Sequence, residues 1–517
     1  MRLLRILLAL AGGASLALAQ TNTYPPVAPV PTNAPLPLLV PANGSVQVRK
    51  VSLEDLIQQA LQHNLDLQID RYNPSIALFS LNGAYAGYDP TMDISGQHDH
   101  SESGPQLLGG GFVIPGSQSD DNRFSGNLGG TSPIGTTYSL QGNAIDTAGS
   151  SLGQPFQNSI GSASFSLSQP LLKGFWIDAN RLNIRVAKNR LKYSELLLKL
   201  QVMQTITTLE QAYYDLIYSR ENVIVQEKAV EAAHRLVVEN QKRLEVGALA
   251  PLDLQSAEAQ EATSRAAVIA ARSQLGTQMR VVEQLITDKY RDWADVVLEP
   301  TAPLQAPVPV LNVQDSWARG LEDRPDLQQA KLDIERQGIT LKYDKNQLLP
   351  EVDAFGTYGY NGTGGTFSQA LYDIQQTDRR FYTYGGRIIF PLANIKARNA
   401  YRSDKASLEQ LVLTLKKLEQ GIMIAIDNDI GVVRANYDQV QATRTAREYE
   451  EAALDAEQKK LENGKSTTYN VLLIQRDLTS SRGAEIQALD TYNKSLAQLS
   501  LDEASTLTRL GINYQAR

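Results

Sequence analysis

Four potential metal ligands fall within five residues of this chain: His98, Asp99, His100 and Glu102. On a strand, His98 and His100 would face the same way, which suits a metal. The stretch also reads as the start of a polar external loop, where such residues need no ligand, so no metal site is assigned. Gly464-Lys465-Ser466 echoes the end of a phosphate-binding loop, but residue 459 is Lys rather than Gly and a helix precedes it, so the context fails. The triple glycine at 109–111 has no strand–helix setting. His63 and His234 stand alone on helical stretches, no serine, histidine and acid grouping stands out, and there is no cysteine for a thiol nucleophile or a thiolate metal site. These residues predict neither an enzyme nor a cofactor-binding protein.

The elements that would hold such residues occur twice. Leu61-Gln62-His63-Asn64-Leu65-Asp66-Leu67-Gln68 returns as Leu321-Glu322-Asp323-Arg324-Pro325-Asp326-Leu327-Gln328, at a shift of 260. Asp89-Pro90-Thr91-Met92-Asp93 meets Leu349-Pro350-Glu351-Val352-Asp353 at the same shift. Ser168-Gln169-Pro170-Leu171 matches Ile389-Phe390-Pro391-Leu392 at 221, and Arg243-Leu244-Glu245-Val246-Gly247 matches Lys460-Leu461-Glu462-Asn463-Gly464 at 217. An ordered duplication implies a pseudo-twofold unit. The drop in shift puts about 39 extra residues between the strands of the first copy, read here as a long loop over about 96–158.

Arg2 and Arg5 precede an apolar run from Leu3 to Leu18, and Ala17-Leu18-Ala19 offers small residues for cleavage before Gln20. This predicts a secretory signal peptide over residues 1–19 and an exported protein. No later apolar stretch is long enough for a spanning helix. The 49 basic and 56 acidic residues nearly balance, giving a net charge of −7, which excludes the basic footprint of a nucleic-acid binder. Seven prolines between residues 24 and 45 predict an extended arm over 20–50, and Pro300, Pro303, Pro307 and Pro309 a connector over 300–311.

Phe175 to Val246 holds neither proline nor glycine across 72 residues and is rich in good helix formers. Ala393 to Asn463 repeats this with only Gly421 and Gly431 interrupting. Each run ends in a glycine turn: Gly247 before Ala248 and Pro251, and Gly464 before Lys465 and Ser466. The outcome expected is two long antiparallel helical hairpins.

Between the prolines the period changes to two. Ala163, Phe165 and Leu167 alternate with Ser162, Ser164, Ser166 and Ser168, and Tyr382, Tyr384, Gly386, Ile388 and Phe390 with Thr383, Gly385 and Arg387. Val352, Ala354, Gly356, Tyr358 and Tyr360 alternate with Asp353, Thr357 and Gly359, though Phe355 breaks the pattern, and Met92 and Ile94 alternate more weakly. Such strands fit a membrane barrel with lipid outside and water inside, and equally a soluble antiparallel sheet with one wet face. Four strands cannot close a barrel, so the barrel reading requires several copies.

The duplicated helix, hairpin and long-helix unit resembles the TolC-type outer-membrane efflux proteins over roughly residues 50–512. Arg-Pro-Asp-Leu at 324–327, Leu-Leu-Pro at 348–350, and the two glycine tips followed by Asp253 and by Asn470-Val471-Leu472 carry the resemblance. It implies an α+β, mainly helical fold. Each repeat would give two strands and a helical hairpin, and three copies a 12-stranded outer-membrane barrel continued by a periplasmic helical tunnel. It further implies a passive exit duct, without cofactor, for an inner-membrane pump or secretion exporter, joined through a periplasmic adaptor and seated in outer-membrane lipid. The adaptor contacts carried over are Val246, Gly247 and Ala248 in repeat one (51–299) and Asn463, Gly464 and Lys465 in repeat two (312–512), which a short tail at 513–517 follows. The entrance positions carried over are Asp253, Asn470 and Leu473. The last two depart from an acidic pattern common in the family. The competing reading is a periplasmic coiled-coil adaptor or scaffold, which should carry one hairpin flanked by compact β domains.

Overall fold

The computed structural model describes residues 47–247 and 250–512. The expected signal peptide, the proline-rich arm up to residue 46, Ala248 and the tail at 513–517 lie outside the described residues.

The chain begins with β1 (Gln47–Val51), α1 (Leu53–His63), α2 (Leu65–Asp70) and α3 (Tyr72–Ala84), followed by β2 (Thr91–Ser103) and a short ribbon of β3 (Gln106–Leu108) and β4 (Phe112–Ile114). Then come β5 (Ser117–Thr131), β6 (Thr137–Ser151) and β7 (Gln154–Pro170), α4 (Ala179–Glu245) and α5 (Pro251–Ile286), and β8 (Val296–Pro300). The second half runs α6 (Val313–Asp323), α7 (Pro325–Gln347), β9 (Glu351–Gly364), α8 (Phe367–Gln376), β10 (Arg380–Ile389), α9 (Ile395–Glu462), α10 (Thr468–Asp502) and α11 (Thr506–Arg509). Residues 47–50, read from their prolines' neighbourhood as arm, instead pair in parallel with Val296–Glu299 as β1 on β8.

The duplication is visible in the hydrogen bonds. Asn64 and Arg324, 260 residues apart, break their helices with nearly the same backbone angles, φ −63°, ψ 123° and φ −64°, ψ 122°. Gln68 Nε2 donates to the Gln62 carbonyl at 3.1 Å, and Gln328 Nε2 to the Glu322 carbonyl at 3.1 Å. The paired long helices also match, with 67 and 68 residues in α4 and α9 and 36 and 35 in α5 and α10. At 1.5 Å per residue the longer pair each reach about 100 Å. Asp178 starts α4 by accepting from the Arg181 N–H at 3.0 Å, a carboxylate on an otherwise unpaired donor.

Two apolar clusters hold the helices. One gathers Leu56, Met203, Leu209, Leu216, Val282 and Ile286 from α1, α4 and α5, and the other Leu327, Ile422, Ile426, Val433 and Tyr492 from α7, α9 and α10. The connector is strapped to the second: Tyr492 Oη donates to the Pro307 carbonyl at 2.6 Å. Beside the first cluster, Glu283 is 3% exposed and burial pushes its carboxyl up to about 7. A folded pKa above the unfolded one means the native state holds the proton between about pH 4.5 and 7, so this stabilisation is lost as pH rises through that window. Glu283→Gln is expected to be more stable than the parent by about 2 kcal/mol at pH 8 and no more stable at pH 4. Thermal unfolding at both pH values checks this, and an equal offset at both would contradict it.

The strand count departs from expectation. β10, β9, β7, β6, β5 and β2 form one six-stranded antiparallel sheet in that order. The segment read as a long loop over 96–158 contains β3, β4, β5 and β6 entire, together with the distal part of β2 and the start of β7. Each chain therefore supplies six sheet strands, four of them from the first repeat, in place of the expected four. The signal was weak because the apolar face of the added strands holds Gly126, Gly142 and Ala144, which carry little hydropathy, between sparse Phe124, Leu128 and Leu140.

Candidate conduit wall and hairpin tips

Strand register sorts the sheet into two faces. One row runs Met92, Leu128, Leu140, Phe165, Tyr358 and Tyr382 across all six strands, and the next Ile94, Gly126, Gly142, Ala163, Tyr360 and Arg380. The large apolar side chains of these rows lie bare, with Met92 70% and Tyr382 66% exposed, and Arg380 stands at the edge of the second. The opposite face carries Ser95, Ser125, Asn143, Ser162 and Asn361 in one row. Ser95 Oγ and Ser125 Oγ lie 2.7 Å apart, and Ser162 Oγ donates to Asn143 Oδ1. Ion pairs stand on this wet face: Arg387 meets Asp353 at 2.8 Å and Glu351 at 3.1 Å, and Arg123 meets Asp121 at 3.2 Å. An apolar, tyrosine-bearing exterior opposite a polar interior is what a lipid-embedded wall around water requires.

At the far ends of the strands the apolar face becomes polar. His98 Nδ1 bonds Asn122 Oδ1 at 2.8 Å and His100 Nδ1 bonds Asp120 Oδ1 at 2.5 Å, so both imidazoles are engaged across β2 and β5. Among the described residues no group of three His, Cys, Asp or Glu is arranged to hold a metal. Helix α8 lies over the apolar face there. Its Phe367 ring meets Phe124 edge-on at 5.4 Å, and a side chain at Gly362 would fall 2.1 Å from the Ala370 carbonyl.

The glycine tips close both hairpins. At the second, Lys465 N–H donates to the Lys460 carbonyl at 2.8 Å and Gly464 N–H to Leu461 at 3.1 Å, the paired bonds of a Schellman cap. At the first, Gly247 N–H donates to the Leu244 carbonyl at 2.9 Å. Gly247 at φ +74° and Gly464 at φ +67° adopt the left-handed conformation, and nothing lies within 4 Å of where a Cβ would sit. The turn itself requires glycine, and the space over it is open. Val246 is 79% exposed, and Asn463, Gly464 and Lys465 are exposed as well.

Two features missed from sequence join the tips. Leu236 of α4, Leu461 of α9 and Val471 of α10 form a small buried cluster, and Thr468 Oγ1 donates to Asn240 Oδ1 at 3.3 Å with both residues buried. The first hairpin's outgoing helix and the second hairpin's return helix are thus fixed to each other. Asp253 sits half-buried in the first turn of α5, Asn470 exposed and Leu473 half-buried in the first turns of α10. Among the described residues Asp253 has no ion-pair partner.

Further up, ion pairs rivet each hairpin. Arg447 meets Glu485 at 2.5 Å and Arg482 meets Glu451 at 2.8 Å between α9 and α10, and Arg272 meets Glu227 at 2.8 Å between α5 and α4. Within the second repeat, Arg324 grips Asp326 with both arms, Nε to Oδ1 at 3.0 Å and a terminal nitrogen to Oδ2 at 2.8 Å, and reaches Asp502 Oδ1 at 2.9 Å. Burial, then a shared hydrogen bond with Asp502, pushes Asp429 up to about 7. Nearby, Arg509 pairs with the fully buried Glu210 at 2.6 Å.

A family model described as Outer membrane efflux protein matches residues 133–286 and 319–501, most of the chain and both repeats. The chain belongs to the outer membrane efflux protein family. Its location is the outer membrane, and the proteins it resembles are channels rather than enzymes. The outer membrane efflux protein BepC of Brucella suis biovar 1 (strain 1330) is 25% identical over 358 residues, 68% of this chain and 74% of that one. The fold is shared with the Campylobacter jejuni CmeC outer membrane channel, at TM-score 0.64 and 13% identity over 88% of this chain and 86% of that one. It is shared also with the outer membrane protein VceC of Vibrio cholerae, at TM-score 0.62 and 17% identity over 90% and 97%. Membership in the efflux family sets aside the adaptor and scaffold alternative.

Proposed function

We propose that three copies of this chain form the outer-membrane exit duct of a tripartite efflux or type I secretion system, passively conducting substrates delivered by an inner-membrane pump through a periplasmic adaptor. The observation that carries this reading is a sheet with one lipid-type face, one wet face and two unpaired edges, β2 and β10. An open edge cannot stay in lipid, so the wall must be completed by further copies. The helical part points the same way: Ile69, Tyr72, Ile76 and Phe79 follow helical spacing along α2 and α3 and are all largely exposed, an apolar stripe that a neighbouring copy would cover. The helices then line a periplasmic tunnel with the hairpin tips as its far end.

In this reading Val246, Gly247 and Ala248 with Asn463, Gly464 and Lys465 receive the adaptor, the bare glycine backbone allowing close approach. Asp253, Asn470 and Leu473 ring the entrance, and Asp253, without an ion-pair partner among the described residues, bonds across to a neighbouring hairpin. The test is complementation in the native host deleted for this chain. The parent protein is expected to restore export of the host's pump substrates, whereas Val246→Asp with Lys465→Asp, which leave both glycine turns unchanged, is expected to abolish it while leaving trimer yield intact. Full export by the double variant would remove the docking assignment, and a deletion strain with unchanged export would remove the duct.

A further inference from the structure

The structure assigns the hairpin of β5 and β6 to the membrane wall, and with it we propose that the completed pore has eighteen strands over a tunnel of twelve helices, three chains each supplying six strands and four long helices. This rests on the three-copy duct proposed above; the pore is incomplete in any one chain, and the partner at each free edge is a second copy of the same chain. Three observations carry it. First, β5 and β6 stand inside the sheet, with β2 hydrogen-bonded outside them, so they cannot leave the wall without breaking the sheet between β2 and β7. Second, they obey the same two-faced code in register with their neighbours: Leu128 and Leu140 on the lipid side of one row, Asn127 and Gln141 on the wet side of the next. A hairpin folded away from the membrane would have no reason to keep that alternation.

Third, the turn joining them is seated against the wall's lower end. Ser132 N–H donates to the Thr136 carbonyl at 2.8 Å, and the Gln169 amide, at the end of β7, donates to the Ile134 carbonyl at 3.3 Å. At Gly135, φ +85°, a Cβ would fall 2.9 Å from the Gly174 carbonyl, so the turn is pressed onto the segment after β7. The chain passes from β5 to β6 there without entering the helices. The added strands therefore widen the barrel and leave the helix number unchanged.

Barrel diameter grows nearly in proportion to strand number, so eighteen strands enclose a lumen about half again as wide as twelve. The functional consequence is that the membrane section exerts no sieving. Size selection falls to the tunnel and its entrance, and the barrel wall, lined by Ser, Asn and Thr, releases bulky polar solutes unhindered.

The chain has no cysteine, which makes disulfide trapping clean. Two pairs, Ser95→Cys with Ser125→Cys and Asn143→Cys with Ser162→Cys, join register partners on the wet face across β2–β5 and β6–β7. A third set combines Ser95→Cys with cysteine at Phe381, Thr383, Gly385 or Arg387 on the wet face of β10, to bridge neighbouring copies. In outer membranes from oxidised cells, both intrachain pairs are expected to close, and one of the β2–β10 combinations is expected to give covalent dimers and trimers. Intact trimers in which either intrachain pair stays open would overturn the eighteen-stranded wall and leave the duct standing. Closed intrachain pairs with no trimers would overturn both.

Discussion

Arg324→Ala is expected to cost about 3–5 kcal/mol of stability at pH 8, the range for removing one partner of a buried ion pair. The side chain is 17% exposed and sits between Asp326 and Asp502, with the Asp429 carboxyl beside Asp502. Deleting the guanidinium leaves three carboxyl groups facing one another with no cation among them. Asp429 already titrates near 7 because it is buried beside Asp502. At pH 5 the Asp429 proton is in place in both proteins, so the deficit should be clearly smaller than at pH 8. Arg324→Lys keeps a charge but loses the two-armed grip on Asp326, and should recover only part of the loss. Thermal unfolding of the detergent-extracted protein at both pH values reads all three. A deficit below 1 kcal/mol, or one independent of pH, would show that the cluster does not hold the helices of the second repeat together.

The second large effect separates the two faces of the wall. Phe165→Arg places a cation in the row with Leu140 and Tyr358, where a lipid-facing arginine costs about 2–4 kcal/mol at mid-bilayer. Ser164→Arg, one residue away, points into the wet face beside Gln141 and Gly359. The first variant is expected to disappear from the outer-membrane fraction and the second to accumulate at the parent level. Leu140→Arg on β6 should behave like Phe165→Arg, because β6 carries the same face in the same row. Equal recovery of all variants would mean that neither face meets lipid.

Much of this fold could be read from the chain because its long-range order is repeated locally. The 260-residue shift reappears as matched helix breaks at Asn64 and Arg324 and matched glutamine bonds from Gln68 and Gln328. The helical runs and their glycine turns were legible because proline and glycine punctuate so strictly. β5 and β6 were not, since small outward residues and polar inward ones, Gly126 and Gly142 against Ser125 and Asn143, look locally like a loop. Only pairing to strands already known to be apolar on one side reveals the code. The contacts that fix the tips were also invisible: Asn240 meets Thr468 across 228 residues, and neither type announces a partner. Arg324 stood out as part of a motif, but Asp502 and Asp429 carry no local sign that they surround it.

The duct itself is tested most directly by electron imaging of the detergent-extracted protein. Threefold particles are expected, in which a tube of about 100 Å, the length of α4 and α9, extends from a detergent-wrapped barrel. Compact or monomeric particles that stay soluble without detergent would contradict the duct.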